Sequence, residues 1–178
     1  MESKRLSLLA AAALLLVSAP LCADIPTPEE MELQYALTMG AGFPVGDTRD
    51  SSTFIVGVSW YGSAGEFVQR NAAIGLSVDW MNLSRVSDGK EADIFPILLN
   101  WRQYSRVSNR RVFTNLGIGV TVSSDDLPEI EIDEGANFGW TVGAGVDITD
   151  RLFGQIRFVA GTSPGDDGII TTEIGFRF

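Results

Sequence analysis

Residues 138–148 read Phe-Gly-Trp-Thr-Val-Gly-Ala-Gly-Val-Asp-Ile, and their large apolar side chains occupy every second position. A period of two puts these side chains on one face of a β-strand and leaves Gly, Thr and Asp on the other. The same alternation recurs in about eight stretches of roughly ten residues, a length that lets a tilted strand cross a bilayer. Turn residues separate the stretches by hairpin-sized gaps. The sequence therefore predicts an all-β, up-and-down antiparallel barrel of about eight strands.

Length and composition restrict the function classes. The chain has 178 residues, a formal net charge of -10, no His and one Cys, Cys22. This length suits one domain. The acidic balance argues against nucleic acid as a partner, because phosphate-binding surfaces need Lys and Arg. With no His and one Cys, we expect no catalytic, metal or cofactor site.

The first 23 residues are typical of a secretory signal peptide, with a basic start, an apolar run and small residues ending at Ala23. The apolar run is too short to span a bilayer comfortably. We expect cleavage after Ala23, a short periplasmic lead over residues 24–31 and the barrel over residues 32–178. Lipidation of Cys22 is a competing interpretation, although the residues before it do not fit a lipobox.

The bulky face of the strands is expected to meet lipid. The opposite face is dominated by Gly, Ser, Thr and Ala with scattered charges, and such side chains suit a narrow lumen. A lumen that held the Trp residues and most Phe residues would be overpacked. Positions along the strands then predict two aromatic girdles. One holds Trp60, Trp101, Tyr35, Tyr61, Tyr104 and Phe178 at the periplasmic rim, and the other holds Trp80, Trp140, Phe43, Phe54, Phe95 and Phe138 at the opposite rim.

The last ten residues, 169–178, end in Phe and carry apolar or β-branched residues at every second position. With the strand pattern over residues 32–178, they resemble the small eight-stranded outer-membrane barrels of Gram-negative bacteria, the family that includes the membrane domain of outer membrane protein A. The resemblance implies an outer-membrane location, contact with lipid and lipopolysaccharide, and insertion by the barrel assembly machinery. It also implies a terminal assembly signal made of Ile170, Thr172, Ile174, Phe176 and Phe178.

Charged residues on the inward face are the candidate functional residues. If Gly161 and Ile169 flank the last hairpin, Arg157 lies directly opposite Glu173. Because unpaired charge in a confined lumen is costly, structural pairing is the main interpretation, and a gate that opens a pore is the alternative. The other inward charges are Asp79, Arg102, Asp147 and Arg177.

Residues 125–134 carry six acids and are expected in the third external loop. Carboxylates favour Ca²⁺ or Mg²⁺, and bridging ions would allow contact with lipopolysaccharide. The spacing does not match a Ca²⁺-binding loop, so a solvated acidic rim is the main interpretation.

Three functions remain open from the sequence. Barrel-shaped lipid A deacylases, palmitoyltransferases, phospholipases and proteases resemble this fold, but each relies on a His that this chain lacks. We therefore expect a non-enzymatic structural or surface-interaction protein. The alternatives are a narrow channel for ions or small solutes, and a soluble periplasmic barrel that binds an apolar ligand.

Overall fold

A computed structural model describes residues 33–45, 51–63, 71–85, 91–107, 110–124, 134–161 and 168–178. Each strand pairs antiparallel with the next, and β1 pairs with β8, so the sheet closes into a barrel. The predicted up-and-down barrel is confirmed. The strands are β1 (Gln34–Val45), β2 (Ser51–Ser63), β3 (Ala72–Arg85), β4 (Glu91–Val107), β5 (Arg110–Ser123), β6 (Gly135–Asp147), β7 (Leu152–Ala160) and β8 (Gly168–Arg177).

Several sequence predictions fall outside these ranges. The signal peptide at 1–23, the lead at 24–31 and residues 125–133 of the acidic segment lie outside the described residues. Within the described ranges, no helix is long and apolar enough to span a membrane.

The path of the chain distinguishes the two ends of the barrel. At the end called here the terminus end, β1 begins at Gln34 and β8 ends at Arg177. The connections β2–β3, β4–β5 and β6–β7 also lie there. The other four connections lie at the opposite end, called the loop end. There β6 starts at Gly135, whose φ of 99° is a conformation that favours glycine.

The bulky face of the strands points outward around the whole barrel. On β1, Leu37, Met39 and Phe43 are exposed, whereas Ala36 and Thr38, on the opposite face, are buried. Such a continuous apolar surface suits hydrocarbon better than water. Further exposed members of this surface are Phe54, Trp60, Trp80, Phe95, Leu99, Ile118, Phe138, Ile156 and Ile174.

The four Trp residues all belong to this outward face. Trp60 and Trp101 lie in the halves of β2 and β4 nearer the terminus end, and Trp80 and Trp140 lie nearer the loop end. The Trp80 indole donates a hydrogen bond of 2.9 Å to Asp93 Oδ1, on the outward side of β4. An indole with a polar partner is typical of the membrane–water interface.

Two expected girdle members lie inside the barrel, so that part of the prediction is wrong. Tyr61 and Tyr104 are both buried. Tyr61 pairs across the strands with Gly75, and a side chain added to Gly75 would collide with the Tyr61 ring. The ring therefore occupies lumen space that the glycine leaves free. Tyr61 stands at an inward-facing position of β2, and this decides its location despite the preference of Tyr for the membrane interface.

The filled lumen as the candidate functional site

The lumen at the loop end is filled by aliphatic side chains. Leu98 is fully buried nearby on β4. The expectation of a mainly small and polar inward face is wrong here. Residues 54–56 and 158–160 are apolar at every position, so their inward members, Ile55 and Val159, are aliphatic as well. The buried cluster is Ile55, Met81, Leu83, Ala92, Ile94, Val159 and Ile169.

Three charged side chains meet in the middle of the lumen and are called here the central cluster: Asp79, Arg157 and Glu173. Arg157 Nη1 donates to Asp79 Oδ2 at 3.0 Å. Arg157 Nε donates to Glu173 Oε1 at 2.8 Å, and Nη2 lies 2.7 Å from the same oxygen. The three side chains are between 0 and 4% exposed. One guanidinium thus bridges two buried carboxylates.

The partners of Glu173 complete this cluster. Thr171 Oγ1 donates to Glu173 Oε1 at 2.6 Å, and Gln155 Nε2 donates to Oε2 at 2.8 Å. Both carboxylate oxygens therefore accept hydrogen bonds, as a buried charge requires.

The contact between Arg157 and Glu173 forms, but the register expected for the last hairpin is wrong by two residues. Arg157 pairs with Thr171, and Gln155 pairs with Glu173. The two charges meet diagonally, because the long Arg157 side chain reaches along its own face to a neighbouring position.

Each member of the central cluster lies opposite a glycine on a neighbouring strand. Asp79 pairs with Gly57, Arg157 with Gly143, and Glu173 with Gly40. A Cβ added at any of these glycines would approach the charged residue more closely than packing allows. Inward glycines therefore provide the space in which the charges are paired.

Arg102 lies nearer the terminus end, within a layer of aromatic rings. Its guanidinium carbon lies 3.9 Å from the ring centroid of Tyr61 and 4.2 Å from that of Phe113. Phe153 is a third ring, at 5.6 Å. Arg102 Nη2 also donates to Gln155 Oε1 at 3.3 Å, so Gln155 connects this layer to Glu173. Cation–π contacts stabilise a buried guanidinium that has no carboxylate within 4.0 Å in the described part of the chain.

The remaining inward charges form a second group, called here the terminal cluster: Arg111, Asp147 and Arg177. Arg177 Nη2 donates to Asp147 Oδ1 at 2.6 Å, and Arg111 Nε donates to Asp147 Oδ2. The sequence reasoning missed Arg111. Arg111 stands two and four residues before Phe113 and Asn115 on the inward face of β5, and this spacing could have predicted that it points into the lumen.

Metal binding has no structural support in the described ranges. No three His, Cys, Asp or Glu side chains lie close enough together there to hold an ion. Of residues 125–134, for which a cation contact was considered, only Glu134 is among the described residues.

Solved outer-membrane proteins share this fold. The crystal structure of Neisserial surface protein A matches with a TM-score of 0.60 and 11% identity over 82% of this chain and 95% of that one. The outer membrane enzyme PagL matches with a TM-score of 0.59 and 15% identity over 82% and 98%. The N-terminal β-barrel domain of Pseudomonas aeruginosa OprF matches with a TM-score of 0.51 and 11% identity over 83% and 99%.

No protein-family model matches the chain, and no curated protein matches its sequence. At identities of 15% and below, the structural matches concern the fold alone. The chain thus has the fold of the small eight-stranded outer-membrane barrels, and that fold occurs in proteins of different function.

Proposed function

We propose that the protein is an integral outer-membrane barrel with a closed lumen and a non-enzymatic structural or surface-interaction role. The observation that carries the proposal is the filling of the lumen. Aliphatic side chains occupy the loop end, the central cluster occupies the middle, and aromatic rings surround Arg102 near the terminus end. A lumen packed in successive layers offers solutes no path, so contacts with partners fall to the outer surface and the loops.

The outward apolar surface supports a membrane location over a soluble periplasmic one. A soluble barrel for an apolar ligand needs a polar exterior and an apolar cavity. Here the exposed residues include Met39 and Phe43, and the middle of the lumen holds three charges.

Conductance separates this proposal from the channel alternative. Full-length protein folded into planar bilayers is expected to give no current steps above the protein-free background. Heat-modifiable migration of the same sample shows that the barrel is folded. Steps that occur in the wild type and change size in Arg157→Ala would overturn the proposal in favour of a channel. Arg151→Ala removes an exposed arginine outside the lumen and is the matched control.

The non-enzymatic part of the proposal rests on the absence of His from the whole sequence, which leaves the Ser residues without their usual general base. Folded protein incubated with vesicles of phospholipid and lipopolysaccharide is expected to leave acyl-chain masses unchanged by mass spectrometry. Time-dependent loss or transfer of an acyl chain would contradict this part.

A further inference from the structure

Among the described residues, basic side chains concentrate at the terminus end. Asp147 and Asp150 are the acids of the described terminus-end segments, and Asp147 is already held between two arginines. At the loop end, the described strand ends carry the acids Glu91, Asp93 and Glu134 and the base Arg85. Within the described residues, charge is therefore unevenly distributed between the two ends. The terminus-end arginines in the described residues are Arg102, Arg106, Arg110, Arg111, Arg151 and Arg177.

Two of these arginines, Arg110 and Arg151, are exposed, and Arg110 lies beside exposed aliphatic side chains. Arg110 pairs across the β4–β5 hairpin with Val107, which is 62% exposed. Continuing the β5–β6 register by two residues beyond Val112 and Val146 places Arg110 opposite Ile148, which is 48% exposed.

Arg151 occupies a hydrogen-bonded turn between β6 and β7. Its carbonyl accepts from the Arg177 amide at 2.7 Å, and its own amide donates to Thr149 Oγ1 at 3.3 Å. The adjacent end of β8 carries the exposed ring of Phe178, whose amide donates to the Tyr35 carbonyl at 3.0 Å. The backbone at this position is thereby held in place.

The result is a row of alternating apolar and basic side chains around part of the terminus end, called here the basic strip: Val107, Arg110, Ile148, Arg151 and Phe178. Asp150 is exposed in the same turn and offsets one of its two positive charges. No ion pair involves Arg110 or Arg151 within the described ranges. The side chains of the strip and of Asp150 together carry a net positive charge, and exposed apolar side chains lie beside the two arginines.

We propose that the basic strip binds the headgroups of anionic phospholipids in the leaflet that surrounds the terminus end. A guanidinium matches the geometry of a phosphate, and neighbouring aliphatic and aromatic side chains enter the boundary between headgroups and acyl chains. The inference rests on the proposed membrane location. The protein carries a net negative charge, so its overall charge disfavours anionic lipid. At physiological salt, charges are screened beyond about 8 Å, so a preference for anionic lipid has to come from basic side chains close to the headgroup.

Brominated lipids provide the test, because bromine quenches the tryptophans of the outward face. The full-length protein is folded into phosphatidylcholine vesicles that contain brominated phosphatidylglycerol or, in parallel, brominated phosphatidylcholine. The association constant of phosphatidylglycerol is expected to exceed that of phosphatidylcholine about fivefold, which is the effect of one basic residue near an anionic headgroup. The preference should disappear in Arg110→Gln/Arg151→Gln. It should persist in Arg85→Gln/Lys90→Gln, a control that removes two positive charges from the last residue of β3 and the residue that precedes β4 in the sequence.

Equal association of both lipids with the wild type would overturn the inference, and so would a preference that survives in Arg110→Gln/Arg151→Gln. Heat-modifiable migration and flotation with the vesicles are measured on every sample. Failure to insert would appear there as protein without lipid, which contradicts the membrane location itself and is distinct from a lack of lipid preference.

Discussion

The central cluster and the terminal cluster both consist of guanidinium and carboxylate groups, but in opposite arrangements. In the central cluster Arg157 lies between two carboxylates, and in the terminal cluster Asp147 lies between two guanidiniums. Their depth differs as well. The central side chains are at most 4% exposed, whereas in the terminal cluster Arg111 is 16% exposed, Asp147 8% and Arg177 4%.

This difference shows how position along the lumen sets the cost of an ionic contact. Removing the middle ion of either cluster leaves two like charges facing each other. In the central cluster neither water nor salt reaches them easily, so the full desolvation cost remains. In the terminal cluster the end of the barrel is near, and solvent screens part of the repulsion.

The largest effect is expected from Arg157→Met. The variant leaves Asp79 and Glu173 buried without their cation, and breaking a buried pair typically costs about 3–5 kcal/mol. The free energy of unfolding, measured by urea titration of the barrel in vesicles, should fall by that amount.

The triple variant Asp79→Asn/Arg157→Met/Glu173→Gln is the control for this prediction. Replacing a whole buried ion cluster by neutral groups is often close to neutral, so most of the stability should return. If Arg157→Met is as stable as the wild type, the cluster does not contain the paired charges described above.

A smaller loss is expected from Asp147→Asn, because Arg111, one of the two arginines that it leaves, is partly exposed and its charge is screened by solvent. Hydrogen bonds to charged groups contribute about 1.5–3 kcal/mol, and the unfolding free energy should fall within or below that range. Raising the salt concentration should reduce the loss in Asp147→Asn and leave the loss in Arg157→Met unchanged. Equal salt dependence of the two variants would contradict the difference in depth.

An effect similar in size to that of Asp147→Asn is expected from Gly57→Ala, which tests the space rather than the charge. An added Cβ would press on Asp79 Oδ1 and Thr38 Oγ1, and overpacking of this kind costs about 1–3 kcal/mol. Gly154→Ala is the matched control, since its Cβ would meet no atom closer than 3.9 Å. The argument from space fails if both substitutions change the unfolding free energy equally.

The barrel itself follows from the sequence, because alternation with a period of two specifies both the strands and their outward face. In β6 the structure has the two faces that the sequence predicts. One face carries Phe138, Trp140 and Val142, and the other carries Gly139, Thr141 and Gly143. Runs that are apolar at every position, such as residues 54–56 and 158–160, carry no such information. The aliphatic filling of the loop end therefore could not be read from the sequence.

Contacts inside the lumen depend on register and height, which periodicity alone does not fix. Arg157 and Glu173 share a parity, and this was enough to expect their contact. The third member, Asp79, lies 78 residues from Arg157 along the chain and across the lumen. Arg111 had the correct parity to meet Asp147, but without the β5–β6 register its height along the barrel was unknown.

The glycine opposite each central charge also constrains how the strands join during assembly. A slip of two residues between β2 and β3 preserves the inward and outward faces, so lipid exposure does not oppose it. Such a slip would set Asp79 opposite Ile55 or Ser59 in place of Gly57 and remove the space for its carboxylate. The glycines thus disfavour shifted strand registers. A barrel whose exterior is apolar throughout can therefore close in a single register.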